Sequence, residues 1–316
     1  ALQLDAPPLA EQIRQRTLDM NGDEVESAID LLAQAYPSLA RVEALPHSTA
    51  GKRTCKYVAV GAVTGVSKDA LVITGGVHAR EWGSCEIALT LAADLLLSYS
   101  TGVDLAYGPA TASQFTALQI KTLLDKIDIV IFPQVNPDGR SYSQTPGADS
   151  QWQKNRNPAH ALKGDPESIG VDLNRNFDFL FNLNAFHPNA GVSATADPGE
   201  HDYYHGPSAF SEAETQNVRW LLDKFERCRW YVDVHSSGNQ VLHVWSDDQM
   251  QTTDPTQRFT NSAYDGQRGM PNIPPDYREY IAAADLASVQ TLAQSCVDAI
   301  NGVGHSTYVR KPGFDF

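Results

Sequence analysis

An apolar run that stops at two adjacent glycines constrains the fold of this chain more than any other feature. Residues 69–74 form the run, Gly75 and Gly76 end it, and a segment rich in Ala and Leu follows over residues 85–98. A short apolar run bounded by glycine is typical of a buried strand, whereas a longer Ala- and Leu-rich segment is typical of a helix. The stretch therefore predicts a strand, a tight turn and a helix in succession.

The same order of elements returns twice. Residues 127–133 are a β-branched run that leads into the turn sequence 136–139, and residues 230–234 are another run that ends at His235. Strands that alternate with helices predict an α/β sheet, in which ligands bind beyond the carboxyl ends of the strands. Because His78 and His235 both follow predicted strands, we expect them to lie at one site.

Capping residues predict two further helices. One begins at Asn21, and its buried face carries Val25, Ile29, Leu32 and Ala33. The other begins at Ser211, which together with Glu214 has the spacing of a capping box, and it continues to Phe225.

The domain organisation follows from the segments between these elements. Residues 1–20 are polar and contain proline, which predicts a surface arm. Residues 139–211 and 246–280 are long and irregular, and connections of that length are usually functional. Because we find no internal repeat, low-complexity tract or linker, we expect a single domain over residues 1–316.

Composition excludes several classes of protein. The net charge of −14 and the pI near 5.0 argue against nucleic-acid binding. No stretch approaches the roughly 18 apolar residues that span a bilayer, so we expect no membrane segment. The chain begins at Ala1 without a signal-like segment, which fits either a processed product or a trimmed chain. We expect a secreted or extracytoplasmic monomer.

His78 and Glu81 are three residues apart, so their side chains converge if the backbone turns there. Imidazole nitrogen and carboxylate oxygen are ordinary zinc ligands, and a catalytic zinc site has three protein ligands plus a water. His235 is placed to be the third ligand. The spacing of the first pair recurs by chance in many proteins, and a lone histidine after a strand is more often a hydrogen-bonded core residue.

Residues 170–177 place Asn174 beside Arg175 in the first irregular region. A guanidinium and an amide together can bind a carboxylate at two points. The alternative is a solvated charge on a loop.

Five short motifs, taken in order, resemble the zinc carboxypeptidases of the carboxypeptidase A type. They are residues 78–82, 136–139, 152–156, 170–177 and 235–236. The resemblance extends from about residue 21 to residue 316. It implies a three-layer α/β/α fold with a mixed, largely parallel central sheet, one bound Zn²⁺, and release of the C-terminal amino acid from peptides or proteins.

The resemblance also implies roles for individual residues. The implied zinc ligands are His78, Glu81 and His235. Asn174 and Arg175 would hold the terminal carboxylate of the substrate, and Arg80 would line a neighbouring subsite. Asp172 would orient a zinc-bound imidazole. The zinc would lower the pKa of its bound water to about 7 and polarise the scissile carbonyl.

The chain departs from the family pattern in three places. Gln153 stands where an arginine usually stabilises the oxyanion. Losing one such hydrogen-bond donor costs about 2.7 to 4 kcal/mol of transition-state stabilisation. Ser237 stands where an aromatic residue is common. The family's general-base glutamate and the tyrosine of its mobile loop would follow Phe316, so we interpret the sequence as lacking a C-terminal part of the parent enzyme. Glu279 lies in a polar loop, and we expect it at the surface.

Two other functions stay open. A chain without the base is expected to bind zinc and peptide C-termini without hydrolysing them. A related zinc amidohydrolase could use a similar set of metal ligands, but the pair Asn174 and Arg175 favours a free α-carboxylate. A serine hydrolase is disfavoured because the chain has no Gly-x-Ser-x-Gly motif.

Overall fold

The computed structural model describes residues 9–15, 20–108, 114–179, 181–182, 193–244, 252–258, 260–266, 277–304 and 306–313. In chain order its helices and strands are α1 (Leu9–Gln15), α2 (Gly22–Ala35), β1 (Ala40–Ala44), β2 (Lys56–Val60), β3 (Asp69–Gly75), α3 (Gly83–Thr101), β4 (Leu105–Ala106), β5 (Gln114–Phe115), α4 (Ala117–Lys126), β6 (Ile127–Phe132), α5 (Pro137–Ser143), α6 (Ala213–Lys224), β7 (Cys228–Val234), β8 (Gln240–His243), α7 (Ala283–Val303) and β9 (Val309–Pro312).

The chain divides into two compact units. The first comprises Ala1–Leu105, Phe115–Phe177 and Thr195–Ser236, and the second comprises Ala106–Gln114, Asp178–Ala194 and Ser237–Phe316. The expectation of a single domain over residues 1–316 stays a prediction.

The first unit is built on a five-stranded mixed sheet with the strand order β1-β2-β6-β3-β7. Strand β2 is antiparallel to both of its neighbours. Strands β6, β3 and β7 are parallel neighbours, with β3 in the middle. The carboxyl ends of β3 and β7 therefore lie side by side, which is the arrangement that the strand-end histidines require.

Helices cover both faces of this sheet. One face packs against α1, α2, α3 and α4 through strand residues that include Val58, Val60, Ile73, Ile129 and Ile131. The other packs against α6 through residues that include Tyr57, Ala59, Val72, Val130 and Phe132. Successive residues of a strand point to opposite faces, so these near-continuous apolar runs are buried on both sides. The predicted three-layer α/β/α arrangement is confirmed.

Helix α2 begins where its capping residues predict. The side chain of Asn21 accepts hydrogen bonds from the backbone N–H groups of Asp23 and Glu24, and the Glu24 carboxylate accepts one from the N–H of Asn21. Such a cap stabilises a helix by about 1 kcal/mol. The face that carries Val25 and Ile29 is buried, as predicted.

The prediction of a surface arm over residues 1–20 is wrong for the residues that the structure describes. Helix α1 packs against α3, and Leu9, Ala10 and Ile13 are buried. Met20 is also buried. Leu9, Ala10 and Ile13 have the spacing of one face of a helix, and that face is buried, so the local pattern outweighs the polar residues around it.

The predicted capping box at Ser211 is also wrong. Helix α6 begins at Ala213, after a cap residue, Glu212, that makes no side-chain capping bond. The Ser211 hydroxyl accepts a hydrogen bond from the amide of Asn176 at 2.8 Å and donates one to Glu212 Oε1 at 2.9 Å. Glu214 is buried and accepts a hydrogen bond from Asn155 at 3.3 Å, so tertiary contacts take both side chains away from the helix end.

The second unit contains a parallel pair of strands, β8 and β9, connected through helix α7. Glu279 belongs to this unit, and its expected surface position is wrong because the side chain is fully buried. The hydroxyl of Tyr277 donates to the Glu279 carboxylate. Within the described parts of the chain, no helix has the length and apolar character needed to cross a membrane.

Candidate metal centre

The turn between β3 and α3 presents His78 and Glu81. Gly76 has a φ of +66°, and a Cβ there would lie 2.6 Å from the sulfur of Cys85, so the turn requires glycine. The Ser84 hydroxyl donates to the Glu81 carbonyl at 2.6 Å and accepts from the Gly76 N–H at 2.9 Å. These bonds fix the short turn that the double glycine predicts.

Three predicted ligands meet at the ends of the parallel strands. His78 Nδ1 lies 2.9 Å from Glu81 Oε1, and His235 Nδ1 lies 2.9 Å from Glu81 Oε2. The Ser236 N–H also donates to Glu81 Oε2 at 3.0 Å. One ligand atom from each of the three side chains lies within 4.8 Å of the others. The structure thus brings together the histidine pair and the glutamate that the sequence predicts as metal ligands.

A carboxylate faces the outer nitrogen of each imidazole. His78 Nε2 lies 3.5 Å from Asp172 Oδ1, and His235 Nε2 lies 3.1 Å from Asp233 Oδ2. Carboxylates in this position fix the orientation of metal-binding imidazoles and raise their basicity. Both Nδ1 atoms are left to face the interior of the cluster.

The three side chains of the cluster shift one another's pKa values. Burial opposes the ionised form of Glu81, but contacts with His235 and His78 outweigh it and hold the pKa of Glu81 well below its ordinary value. Burial likewise opposes the charged form of His235, yet Asp233 and Glu81 raise the pKa of His235 to about 10. Asp172 and Glu81 raise the pKa of His78 in the same way. A metal ion must therefore displace protons from these imidazoles when it binds.

The donor set fits zinc. Two imidazole nitrogens and one carboxylate are the protein ligands of a common class of catalytic zinc site, which keeps a fourth position for water or substrate. The His78 ring nitrogen that faces away from Glu81 is buried and makes no good hydrogen bond within the described part of the chain.

The predicted substrate residues lie in the loop that carries Asp172. Leu173–Arg175 form a single 3₁₀ turn, capped by Asp172 Oδ1, which accepts from the N–H of Asn174 at 3.0 Å. The Arg175 guanidinium lies 3.9 Å from Asp172 Oδ2 and 5.8 Å from the centre of the Tyr203 ring. The loop therefore connects the predicted carboxylate clamp to the support of His78.

Gln153 and Arg80 are joined on the same side of the centre. Gln153 is 4% exposed, and its amide nitrogen donates to Asp172 Oδ2 at 2.9 Å and to the carbonyl of Asp202 at 3.3 Å. The Arg80 guanidinium donates to Gln153 Oε1 at 2.5 Å. The amide of Gln153 is thus engaged by three partners, and its role as an oxyanion donor stays a prediction.

Sequence reasoning missed Asp233 and Thr74. Asp233 accepts a hydrogen bond from the Thr74 hydroxyl at 2.7 Å. A usable signal was present, because residues two apart on a strand point to the same side and Asp233 is two residues before His235. Thr74 could not have been found this way, since its position depends on the pairing of β3 with β7.

Comparisons with known proteins agree with this geometry. Residues 25–311 match the zinc carboxypeptidase family. The chain is 32% identical over 231 residues to carboxypeptidase B of Helicoverpa zea, which covers 71% of this chain and 46% of that protein. It is 30% identical over 224 residues to a protein of Ajellomyces capsulatus named inactive metallocarboxypeptidase ECM14, which covers 68% of this chain and 32% of that protein. The chain thus spans less than half the length of either relative.

The crystal structure of thrombin activatable fibrinolysis inhibitor matches the fold with a TM-score of 0.67 at 20% identity, covering 98% of this chain and 65% of that chain. At this identity the likeness shows the fold alone. Because the family match covers most of the sequence, the chain belongs to the zinc carboxypeptidase family.

Proposed function

We propose that this chain is the zinc-binding part of a metallocarboxypeptidase that releases the C-terminal residue of peptides or proteins. The observation that carries the proposal is the convergence of His78, Glu81 and His235 beside the loop that bears Asn174 and Arg175. One zinc ion held by the three side chains would supply an acidified water and polarise the scissile carbonyl.

The residues of this chain would bind and orient the substrate. The Arg175 guanidinium offers two parallel N–H groups to a terminal carboxylate, with the Asn174 amide as a further donor. Arg80 is held by Gln153 at the other end of the same network and would contact the residues that precede the scissile bond. Asp172 supports both the metal ligand His78 and the turn of the carboxylate clamp.

Glu81 is not a candidate for the general base. Both of its carboxylate oxygens are hydrogen-bonded to imidazole nitrogens at 2.9 Å, and its carboxylate belongs to the group of three side chains proposed to hold the metal ion. Proton transfer to the leaving amine needs a second carboxylate or an equivalent group. Hydrolysis is therefore part of the proposal, and the general base is left unassigned among the residues that the structure describes.

A second function has an observation in its favour. The amide of Gln153 is held by Asp172, Asp202 and Arg80, and it brings no charge to the oxyanion position. A relative that is 30% identical carries the name inactive metallocarboxypeptidase. The alternative is a module that binds zinc and peptide C-termini without cleaving them.

One experiment separates these functions. The zinc-loaded protein is mixed with matched peptides that have a free or an amidated C-terminus, and both binding and release of the terminal residue are measured. A carboxypeptidase binds and cleaves the free form alone, whereas the binding module binds it without cleavage. Equal binding and equal cleavage of the two peptides would contradict both the carboxypeptidase and the binding module, and would favour an amidohydrolase.

Arg175→Ala tests the carboxylate clamp. Loss of charged hydrogen bonds worth about 1.5–3 kcal/mol predicts a roughly 10- to 150-fold weaker affinity for the free C-terminus, with little change for the amidated peptide. The exposed Arg219 on α6 gives a matched control, because Arg219→Ala removes the same side chain away from the site.

A monomeric state and an extracytoplasmic location complete the proposal. Sedimentation of the purified protein tests the monomeric state.

A further inference from the structure

The carboxylate of Asp233 lies between the hydroxyl of Thr74 and the ring of His235. Thr74 Oγ1 donates to Asp233 Oδ1 at 2.7 Å, and His235 Nε2 lies 3.1 Å from Asp233 Oδ2. The hydroxyl of Tyr231 lies 2.8 Å from Thr74 Oγ1. Each carboxylate oxygen therefore has its own partner.

The direction of each hydrogen bond is fixed by chemistry. Thr74 has one hydroxyl hydrogen, and it is given to Asp233, so the Tyr231 hydroxyl must donate to Thr74. A carboxylate can only accept, so the hydrogen between Asp233 and His235 sits on Nε2 of the imidazole. The other ring nitrogen, Nδ1, is the one that faces Glu81.

The sheet builds this arrangement. Thr74 and Asp233 are register partners on the parallel strands β3 and β7, and Thr74 is fully buried. His235 is two residues beyond Asp233, so the two side chains leave the chain on the same side. Asp233 meets the ring at the nitrogen opposite the metal-facing one, which makes it a support for the ligand rather than a ligand.

We propose that Thr74 and Asp233 form a brace that holds the His235 ring with Nδ1 directed into the metal centre. The inference rests on the proposed zinc binding, and it assigns both residues a positioning role. Removing the partner of a metal-bound imidazole costs about 10- to 100-fold in metal affinity. The brace adds a second carboxylate-supported imidazole to the one that Asp172 supports.

The test measures the zinc dissociation constant by competition with a chromophoric chelator. Asp233→Asn is expected to weaken zinc binding about 10- to 100-fold. Thr74→Val removes the hydroxyl at nearly constant volume and is expected to weaken binding by less, whereas Thr74→Ser keeps the hydroxyl and is expected to restore it. Asp69→Asn is the matched control, because Asp69 begins the same strand β3 and pairs with Arg227 and Arg229.

A second readout is independent of activity. In the zinc-loaded protein, proton–nitrogen NMR of the histidine rings should show a hydrogen on Nε2 of His235 that exchanges slowly with water. Asp233→Asn should speed that exchange, and Asp69→Asn should leave it unchanged.

The outcomes separate the brace from the metal site. If Asp233→Asn and Thr74→Val bind zinc as tightly as the unaltered protein while His235→Ala does not, the brace is wrong and the metal site stands. If His78→Ala and His235→Ala also keep the zinc, the proposed function fails with it. Should Asp233→Asn not fold, the pair Thr74→Val and Thr74→Ser decides, because equal zinc affinities for those two would overturn the brace.

Discussion

The two imidazoles of the metal centre are supported in different surroundings. On one side His78 is 11% exposed and Asp172 is fully buried. On the other side His235 is 29% exposed and Asp233 is 20% exposed. A buried carboxylate takes its hydrogen bonds from protein groups, whereas a partly exposed carboxylate takes some of them from water.

The partners of the two carboxylates differ accordingly. Asp172 accepts from the Asn174 N–H and from the Gln153 amide, so the support of His78 is shared with the predicted substrate loop. Asp233 takes its bond from Thr74, a neighbour in the sheet. One side of the candidate centre is therefore linked to the predicted substrate loop, whereas the other side is supported from within the sheet.

Removal of either histidine is the largest change to the centre. His78→Ala and His235→Ala are each expected to reduce the zinc content from about one ion per chain to near zero, because two ligands rarely retain zinc. Elemental analysis after dialysis measures this. His160→Ala, at an exposed 3₁₀ turn, is the control. Full zinc content in both ligand variants would refute the site.

The two sides can be separated by matched alanine substitutions. Asp172→Ala and Asp233→Ala are both expected to weaken zinc binding about 10- to 100-fold. At saturating zinc, only Asp172→Ala should also weaken binding of a peptide with a free C-terminus, by roughly 5-fold, because the turn that carries Asn174 loses a cap worth about 1 kcal/mol. Calorimetric titration with the peptide measures the second effect.

If both alanine variants changed peptide affinity equally, Asp172 and Asp233 would not differ in their influence on the clamp. If neither variant changed it, Asp172 would have no influence on the clamp. Either result would leave the zinc site itself in place, since the zinc affinities are measured separately.

Local pattern predicted the ligands, and tertiary pairing decided what supports them. The double glycine, the His78 and Glu81 spacing and the strand before His235 all depend on a few consecutive residues, which a sequence shows directly. The contact of Asp233 with Thr74 depends on the register of β3 against β7. The register between two strands that are far apart in sequence cannot be read from the pattern of residues in either strand.

Burial of polar side chains was the weakest part of the sequence predictions. Ser211 and Glu214 have the spacing of a capping box, yet contacts with other parts of the first unit engage them instead. Glu279 stands in a polar stretch but is fully buried. Side chains of this kind are placed by partners far away in sequence, and a local pattern of polarity does not report those partners.

Gln153→Ala tests the hydrogen bonds of the buried side. It removes one donor from Asp172 and the acceptor of Arg80, which predicts a loss of about 1–3 kcal/mol in the free energy of unfolding. Urea unfolding of the metal-free protein measures it. Gln151→Ala is the control, because the exposed Gln151 contacts Arg80 through its backbone carbonyl, which the substitution keeps. Equal stability of the two variants would mean that the Gln153 amide contributes nothing to this network.

The buried side also rests on a carboxyl group that holds a proton near neutral pH. Asn155 exchanges hydrogen bonds with Val171, just before Asp172, and its amide donates to Glu214. Burial raises the pKa of Glu214 to about 8, from an ordinary value near 4.5. At pH values between about 4.5 and 8, Glu214 therefore keeps a proton in the folded protein that it has lost in the unfolded chain.

Stability is therefore expected to fall as the pH rises through this range, because Glu214 favours the folded state fully only below about pH 4.5 and loses that contribution by about pH 8. One proton gives a slope of at most about 1.4 kcal/mol per pH unit. Glu214→Gln carries no titrating group and should remove this part of the slope, as measured by urea unfolding at several pH values. Glu226→Gln, at an exposed position after α6, should keep it. An unchanged slope in Glu214→Gln would show that Glu214 is ionised in the folded protein at neutral pH, and the loop that carries Asp172 would then rest on a charged group.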